Sequence, residues 1–482
     1  MRCPRFPAVV QRRTAPARTP RAPGAVFAVH LELVTLLEDR AVITWHTGTP
    51  TAEGRGPLLP AVTEGEVLYG THPARLNRTA SEGRHTAHHT VELTDLEPGQ
   101  TYYYRAHSRG SAATPTPLPL VRGNAVGTSP HGTGSRGGPY CFTTPEPPPG
   151  RHLVSIALCN DLHLGETTAG LVAGVPLLRG VSQEHGLAPY PKIMARALVD
   201  EARRRGADHL LAAGDISAGG APRDLLEAKR ILDRFGTHGQ DYFVVRGNHD
   251  RPGDRHPGES GGDSFRHGFF GADRPAYFTH DLGGLRIVGL DTYDKRGHGG
   301  DAGALSPEQL DWFRARLKED RERPTVIFGH HPLTVRHSAF PVTSGQRLNR
   351  RQARSILDAY AMAPGVFLHH AGHTHRNKHT VLPQARHVTL QEVGAAKDYP
   401  GGFVLLRVHT GGYALNYYRS NSEPAREWSE RGRRVAAGLW PQYAFGRSVR
   451  DRNCVAVRDL SGITPRLPAG AVRGAAPGAV QE

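Results

Sequence analysis

Lysine, cysteine and long apolar runs are scarce in this chain, and each scarcity excludes something. Of the 60 basic residues among 482, only six are lysine (Lys192, Lys229, Lys295, Lys318, Lys378 and Lys397), and the arginines are scattered. The net charge of +15 therefore comes without a basic groove or interleaved aromatic and basic residues. It reads as a general attraction to anionic substrates, and nucleic acid is not expected as a partner. The four cysteines (Cys3, Cys141, Cys159, Cys454) form no Cys-x-x-Cys pair. That argues against a zinc knuckle and a compact disulfide framework, while a long-range disulfide and the compartment stay open. No apolar run approaches a membrane span; the best candidate, from Ala25 to Leu37, is broken by His30 and Glu32 and alternates like a strand.

Acid is absent from the beginning of the chain. Arg2, Arg5, Arg12, Arg13, Arg18 and Arg21 all precede the first acidic residue, Glu32. No clean apolar stretch with a small-residue cleavage site follows Arg12-Arg13, so an export signal is not read there and the localisation leans cytoplasmic. Residues 1–29 are expected to be a disordered basic leader, because Arg, Pro and Ala cannot bury enough to fold. The chain is too long for one core, so two domains plus tails are expected.

Residues 30–145 read as all-β. Leu31 to Thr35 and Ala41 to Trp45 alternate around a turn at Glu38-Asp39-Arg40, and His89 to Leu93 and Thr101 to Arg105 follow. Leu96, the Pro98-Gly99 turn and Tyr102 resemble the tyrosine corner of fibronectin type III domains, with Tyr140 to Thr144 as a closing strand. The row Tyr102–Tyr104 is read as core packing, His85, His88 and His89 as strand-surface residues, and 109–139 as a loose loop.

Pro145 to Gly150 is a stiff linker, after which strands alternate with helices over 151–420. Helices are expected from Pro191 to Arg205, around Leu225 to Phe235, and after Ser306. There Ser306, Pro307 and Gln309 spell a capping box. Residues 421–482 are expected to be a partly disordered extension.

Five short motifs carry the chemistry: Asp161-Leu-His163, Gly214-Asp215, Gly247-Asn248-His249-Asp250, Gly329-His330-His331-Pro332 and Gly372-His373-Thr374-His375. Each follows an apolar strand, which places all five at the edge of a sheet where active sites of open α/β folds form. Carboxylate, amide oxygen and imidazole together suit iron, manganese or zinc.

The order and spelling of these motifs resemble the calcineurin-like metallophosphoesterases, with a site of the cyclic-nucleotide-phosphodiesterase type. The resemblance implies an α/β (α+β) fold, a four-layer sandwich of two β-sheets flanked by helices. The β-sandwich before it is similar to that of purple acid phosphatases. The resemblance also implies two metal ions: Asp161, His163, Asp215 and His375 for the first; Asp215 as bridge, Asn248, His330 and His373 for the second. His330 is preferred to His331 because it precedes x-Pro. By the same resemblance the ions would lie about 3.5–4 Å apart and would acidify a water for attack on phosphorus. His249 is the implied general acid; Asp250 beside it is expected to orient it and keep it protonated, and Arg251 is expected, from adjacency alone, to add charge to the phosphate pocket. Purple acid phosphatases carry a Tyr ligand three residues after the bridging Asp and a Gly where His163 stands. Here Ala218 and His163 occupy those places, so an iron–tyrosinate site is not expected. The expected activity is hydrolysis of a small phosphodiester or phosphomonoester, cyclic nucleotides first. The alternatives are a nuclease and a non-catalytic binding protein using the β-sandwich. His369 and His370 are expected to pack beside the site, His256 and His267 to be solvated, and residues 165–190 to cover the cleft.

Overall fold

The computed structural model describes residues 25–53, 56–116, 139–170, 180–251, 263–271, 273–294, 301–334 and 347–464. The expected leader up to residue 24, most of the 109–139 loop, the middle of 165–190, His256 and the tail past 464 lie outside the described residues.

The N-terminal part is a sandwich of two antiparallel sheets. Phe27–Leu36, Ala41–Thr49, Leu59–Pro60 and His88–Leu93 form one. Thr63–Gly70, Arg78–Thr86, Thr101–Ser108, Ser111–Ala112 and Tyr140–Thr143 form the other. The period-2 pattern turns Leu31, Leu33, Ile43 and Trp45 of the first sheet toward Val67, Tyr69, Tyr102, Tyr104 and Phe142 of the second. The tyrosine corner forms: the Glu97 amide donates to the Tyr102 hydroxyl at 2.9 Å. The first strand starts at Phe27, three residues ahead of the expected His30.

One expectation fails here. His88 and His89 are buried, at 9% and 1% exposure; of the three histidines expected on the strand surface, only His85 is exposed. His89 stacks on Trp45 with its Nδ1 2.7 Å from Glu82, and His88 stacks on His46 and faces Glu423. The strand His88–Leu93 has the sandwich core on one face and the helix Glu423–Gly432 against the other, so a strand that looks half-solvated in sequence is covered on both sides.

The C-terminal part contains two six-stranded sheets. In one, Tyr242–Val245, His209–Ala213 and His152–Cys159 run parallel, followed by antiparallel Gly402–His409, Gly412–Arg419 and Asn453–Val457. In the other, Leu285–Leu290, Thr325–Gly329, Val366–Ala371 and Ala385–Glu392 run parallel between antiparallel edges Phe278–Leu282 and Lys378–Leu382. Ile156, Leu158, Val245 and Leu406 of the first sheet meet Ile287, Val326, Phe328 and Leu368 of the second in one shared core. Helices Tyr190–Arg204 and Pro222–Leu232 cover one outer face, and Pro307–Glu319 and Arg350–Ala361 the other. The result is the expected four-layer α/β sandwich. Central strands buried on both faces explain why they read as continuous apolar runs rather than alternating ones.

The helix Pro307–Glu319 departs from its expected cap. The Ser306 hydroxyl accepts the Gln309 amide at 3.2 Å, but Gln309 does not return the bond. Its fully buried carboxamide instead pairs with the backbone of Asp291, at 3.0 Å in both directions, and ties the helix to the sheet.

Residues beyond 420 form the helices Glu423–Gly432 and Trp440–Ala444 before the edge strand Asn453–Val457. Charged pairs join the β-sandwich to the sheets and helices that follow it. Glu32 meets Arg433 at 2.7 Å, Tyr399 at 2.6 Å and Arg419; Glu38 grips Arg407 with two contacts of 2.7 Å; Glu92 grips Arg205 at 2.8 and 2.9 Å. Planar guanidinium–carboxylate forks fix orientation as well as distance. The two parts are therefore held in one relative pose.

Candidate metal centre

Each motif occupies the loop leaving the C-terminal end of a parallel strand: Cys159, Ala213, Val245, Gly329 and Ala371 are the last residues of those strands. Backbone bonds stitch the loops together. The amides of Asp161 and His163 donate to the carbonyls of Gly214 and Asp215 at 3.0 and 2.9 Å, and the Gly372 amide to His330 at 3.0 Å. The glycines in these motifs are sterically required. Gly214 has φ +80°, and a side chain on Gly247 would place its first carbon 2.2 Å from the Asp215 carboxylate. Asp161, His163, Asp215, His373 and His375 all have φ between 48° and 64°. Left-handed backbone is costly for such residues, of order 1 kcal/mol or more each, and its clustering here is the signature of a site whose side-chain directions matter.

Asp215 lies at the middle. Its Oδ1 accepts the His249 amide at 2.8 Å, and its Oδ2 lies 3.3 Å from His163 Nε2 and 3.1 Å from His330 Nε2. On one side, Asp161 Oδ1 is 2.9 Å from His375 Nε2 and 3.5 Å from His163 Nε2. On the other, His330 Nε2 is 3.1 Å from Asn248 Oδ1 and 3.2 Å from His373 Nδ1. All seven expected ligand residues thus converge. Asp161 Oδ1, both ring nitrogens of His163 and His373 Nε2 are buried with no hydrogen-bond partner. Buried polar atoms are seldom left that way, and a donor set of carboxylate, amide oxygen and imidazole with orphaned atoms fits borderline metal ions. His331 also borders the second group. However, its Nδ1 bonds Thr292 Oγ1 at 2.7 Å and its Nε2 the Asp301 carbonyl at 2.8 Å, whereas His330 points its Nε2 inward.

The electrostatics agree. Burial alone raises carboxyl pKa values, yet His375 and His163 hold Asp161 well below its ordinary range, and His330 and His249 do the same for Asp215. Burial likewise opposes charge on His330, but Asp215 outweighs it and lifts His330 to about 9. The pocket is built around anions that seek positive charge.

Two expected roles are corrected. Asp250 does not orient His249. Its carboxylate accepts the amides of Ile216 (3.0 Å), Ser217 (2.7 Å) and Gly247 (3.1 Å) and the Ser217 hydroxyl (2.8 Å), clamping two motif loops together. His249 Nδ1 pairs instead with the Ala218 carbonyl at 3.0 Å, and burial lowers its pKa rather than keeping it protonated. Arg251 is already paired, with Asp301 at 2.9 Å and the Asn248 carbonyl at 2.7 Å. His369 and His370 pack as expected, against the Tyr360 hydroxyl and the Cys159 carbonyl, and His267 is exposed.

Three participants were missed. Asn160 donates to Asp161 and to the Val393 carbonyl; it stands next to the first motif and was visible in principle. Glu166 lies beside His163 Nδ1, three residues further on. Asp301 accepts from Asn248 Nδ2 at 3.2 Å across 53 residues, with no local signal.

Comparison with known proteins bears on this geometry. Residues 154–377 match the family model for calcineurin-like phosphoesterases, and residues 26–117 that for the purple acid phosphatase N-terminal domain. A probable cyclic nucleotide phosphodiesterase from Synechococcus sp. is 31% identical over 223 residues, covering 46% of this chain and 74% of the relative. A second protein of that description, from Rhodococcus erythropolis, is 31% identical over 129 residues, 26% of this chain and 38% of the relative. Among solved structures, a dimetal phosphatase from Danio rerio aligns with TM-score 0.44 and 15% identity over 56% of this chain and 98% of its own. Family and site together define a metal-dependent phosphoesterase. The chain belongs to the calcineurin-like phosphoesterase family.

Proposed function

We propose that this chain hydrolyses small phosphoesters at two metal ions that share Asp215. Asp161, His163 and His375 complete one ligand set, and Asn248, His330 and His373 the other. Support comes above all from Asp215 itself: one oxygen is fixed by an amide while the other faces a histidine of each set, at 3.3 and 3.1 Å. Bound there, ions of iron, manganese or zinc supply Lewis acidity and make water a nucleophile at neutral pH. The chain's own groups supply the rest. Asp215 and Asp161 would fix the ions, and the left-handed loop backbone fixes both carboxylates. His249 is the general acid. Its Nδ1–H donates to the Ala218 carbonyl, so Nε2 is the nitrogen left for the leaving oxygen, and it carries the transferable proton only in the imidazolium form that burial disfavours. We read residues 30–145 as a supporting module, 151–420 as the catalytic unit and the segment from 421 as a C-terminal extension whose described residues pack on that unit.

A cyclic nucleotide is the preferred substrate, supported by the name of the Synechococcus relative. The test is hydrolysis of 3′,5′-cyclic AMP, bis-p-nitrophenyl phosphate and p-nitrophenyl phosphate by protein loaded with manganese, zinc or iron. The expected result is turnover of the cyclic nucleotide and the aryl diester. Stoichiometric metal with no turnover of any ester would overturn the reading; turnover of the monoester alone would replace the substrate class.

A further inference from the structure

We propose that Glu166 is a positioning residue for the metal centre and that the C-terminal segment holds it in place. The proposal rests on the reading of His163 as a metal ligand. His163 presents its two ring nitrogens to different surroundings. Nε2 faces Asp161 and Asp215 at 3.5 and 3.3 Å, while Nδ1 lies 2.9 Å from Oε2 of Glu166, a charge contact not aligned as a hydrogen bond in this structure. A ligating imidazole works best when its second nitrogen is held by a carboxylate, which sets the tautomer, stops the ring turning and strengthens its donor atom.

Glu166 is itself held from two sides. The Tyr190 hydroxyl donates to its Oε1 at 2.7 Å, and the Lys397 ammonium pairs with its Oε2. Tyr190 is fully buried and Lys397 is 5% exposed. Both are anchored by a single residue beyond the 154–377 family match. Trp428 stacks on Tyr190 with centroids 4.0 Å apart and rings 16° from parallel, and its indole N–H donates to the Lys397 carbonyl at 2.9 Å. A path of direct contacts therefore runs from the helix Glu423–Gly432 through Tyr190 and Lys397 to Glu166, and from Glu166 to His163. A buried ion pair would account for Lys397 and Glu166 alone. It does not account for the second carboxylate oxygen being held by Tyr190, nor for the placement of the carboxylate against the outward nitrogen of His163.

The test is calorimetric titration of manganese or zinc into metal-stripped wild-type, Glu166→Gln, Tyr190→Phe, Trp428→Leu and His163→Ala proteins, with the melting temperature of each stripped protein. Glu166→Gln is expected to weaken one of the two metal sites about 10–100-fold. Its kcat falls with KM little changed, and kcat recovers at saturating metal. Tyr190→Phe leaves every charge in place and so keeps the proposal testable if Glu166→Gln does not fold; it is expected to weaken the same site about threefold, the scale of one hydrogen bond. Trp428→Leu is expected to move affinity in the same direction. Unchanged metal affinity in Glu166→Gln and Tyr190→Phe, with a lowered melting temperature, would overturn the proposal and leave Glu166 a fold-stabilising ion pair. Unchanged affinity in Trp428→Leu overturns the part assigned to the C-terminal segment. If His163→Ala itself binds metal normally, the ligand reading fails first, and that failure is distinguishable from the others.

Discussion

Two buried polar regions of this molecule are built to opposite rules. At the seam between the β-sandwich and the sheets behind it, carboxylates meet guanidiniums: Glu32 with Arg419 and Arg433, Glu38 with Arg407, Glu92 with Arg205. At the metal centre, carboxylates meet imidazoles, and Asp161 Oδ1, His163 Nε2 and His373 Nε2 are left without hydrogen bonds. The seam carries its own countercharge. The centre has only imidazoles, which carry that charge when protonated and otherwise leave it to a ligand. The backbone shows the same contrast, since five of the ten non-glycine residues with positive φ among the described residues belong to the proposed ligand set and none to the seam carboxylates. A buried carboxylate countered by fixed guanidinium charge speaks for structure; one held in place against imidazoles alone, whose charge comes and goes with a proton, speaks for function.

The largest effect should come from the residue that the centre cannot replace. Asp215→Ala is expected to cost more than about 10³-fold in kcat/KM, the scale of several kcal/mol of lost charge stabilisation. Metal analysis of the purified variant checks it; retained activity with both metals bound would remove Asp215 from the bridge.

At the seam the corresponding change is Glu32→Gln, which leaves Arg419 and Arg433 facing each other. It is expected to destabilise the protein by about 3 kcal/mol while activity per folded molecule is kept. The same residue gives a pH dependence. Burial tends to raise the Glu32 pKa, but Arg433, Arg419 and Tyr399 outweigh it and hold it at about 2, below its ordinary 4.5. A depressed carboxylate stabilises the fold fully above the unfolded value, and that contribution is lost as pH falls from 4.5 toward 2. Urea titrations across that range should show a steeper loss in wild type than in Glu32→Gln; equal slopes would mean that the seam is not where acid acts.

His249→Ala is expected to lower kcat about 10²-fold on a poor leaving group and much less on p-nitrophenolate, which needs no proton. Burial lowers the His249 pKa, so the wild-type rate on a poor leaving group should fall as pH rises through that value. That limb should vanish in the variant. An equal loss on both leaving groups would assign His249 to metal or substrate binding instead.

The smallest effect expected is Tyr102→Phe in the sandwich. It removes the acceptor of the Glu97 amide and should cost about 1 kcal/mol with no change in catalysis, read by denaturant melting.

The sequence by itself determined the main elements and the seven residues that converge at the site. Strands buried on both faces must be apolar throughout, and the five motifs had to follow such strands because loops at that edge are the ones that converge. Ser306 and Tyr102 were legible for the same reason: cap and corner are local interactions, written within a few residues of each other.

What only the tertiary structure decided are the partners brought from far away in the chain. Gln309 left its capping box for Asp291, because a buried carboxamide gains more from two backbone bonds than from one exposed cap. His88 was buried by a helix more than 330 residues later, which no strand periodicity announces, while His89 turned inward onto Trp45 and Glu82. Asp250 turned to three amides and a hydroxyl rather than to the histidine beside it, since adjacent residues on a tight turn point apart. Lys397, Tyr190 and Trp428 meet around Glu166 only after the sheets have stacked. Local chemistry selects which residues can ligate. The folded chain decides which of their atoms are satisfied and which are left facing the cleft.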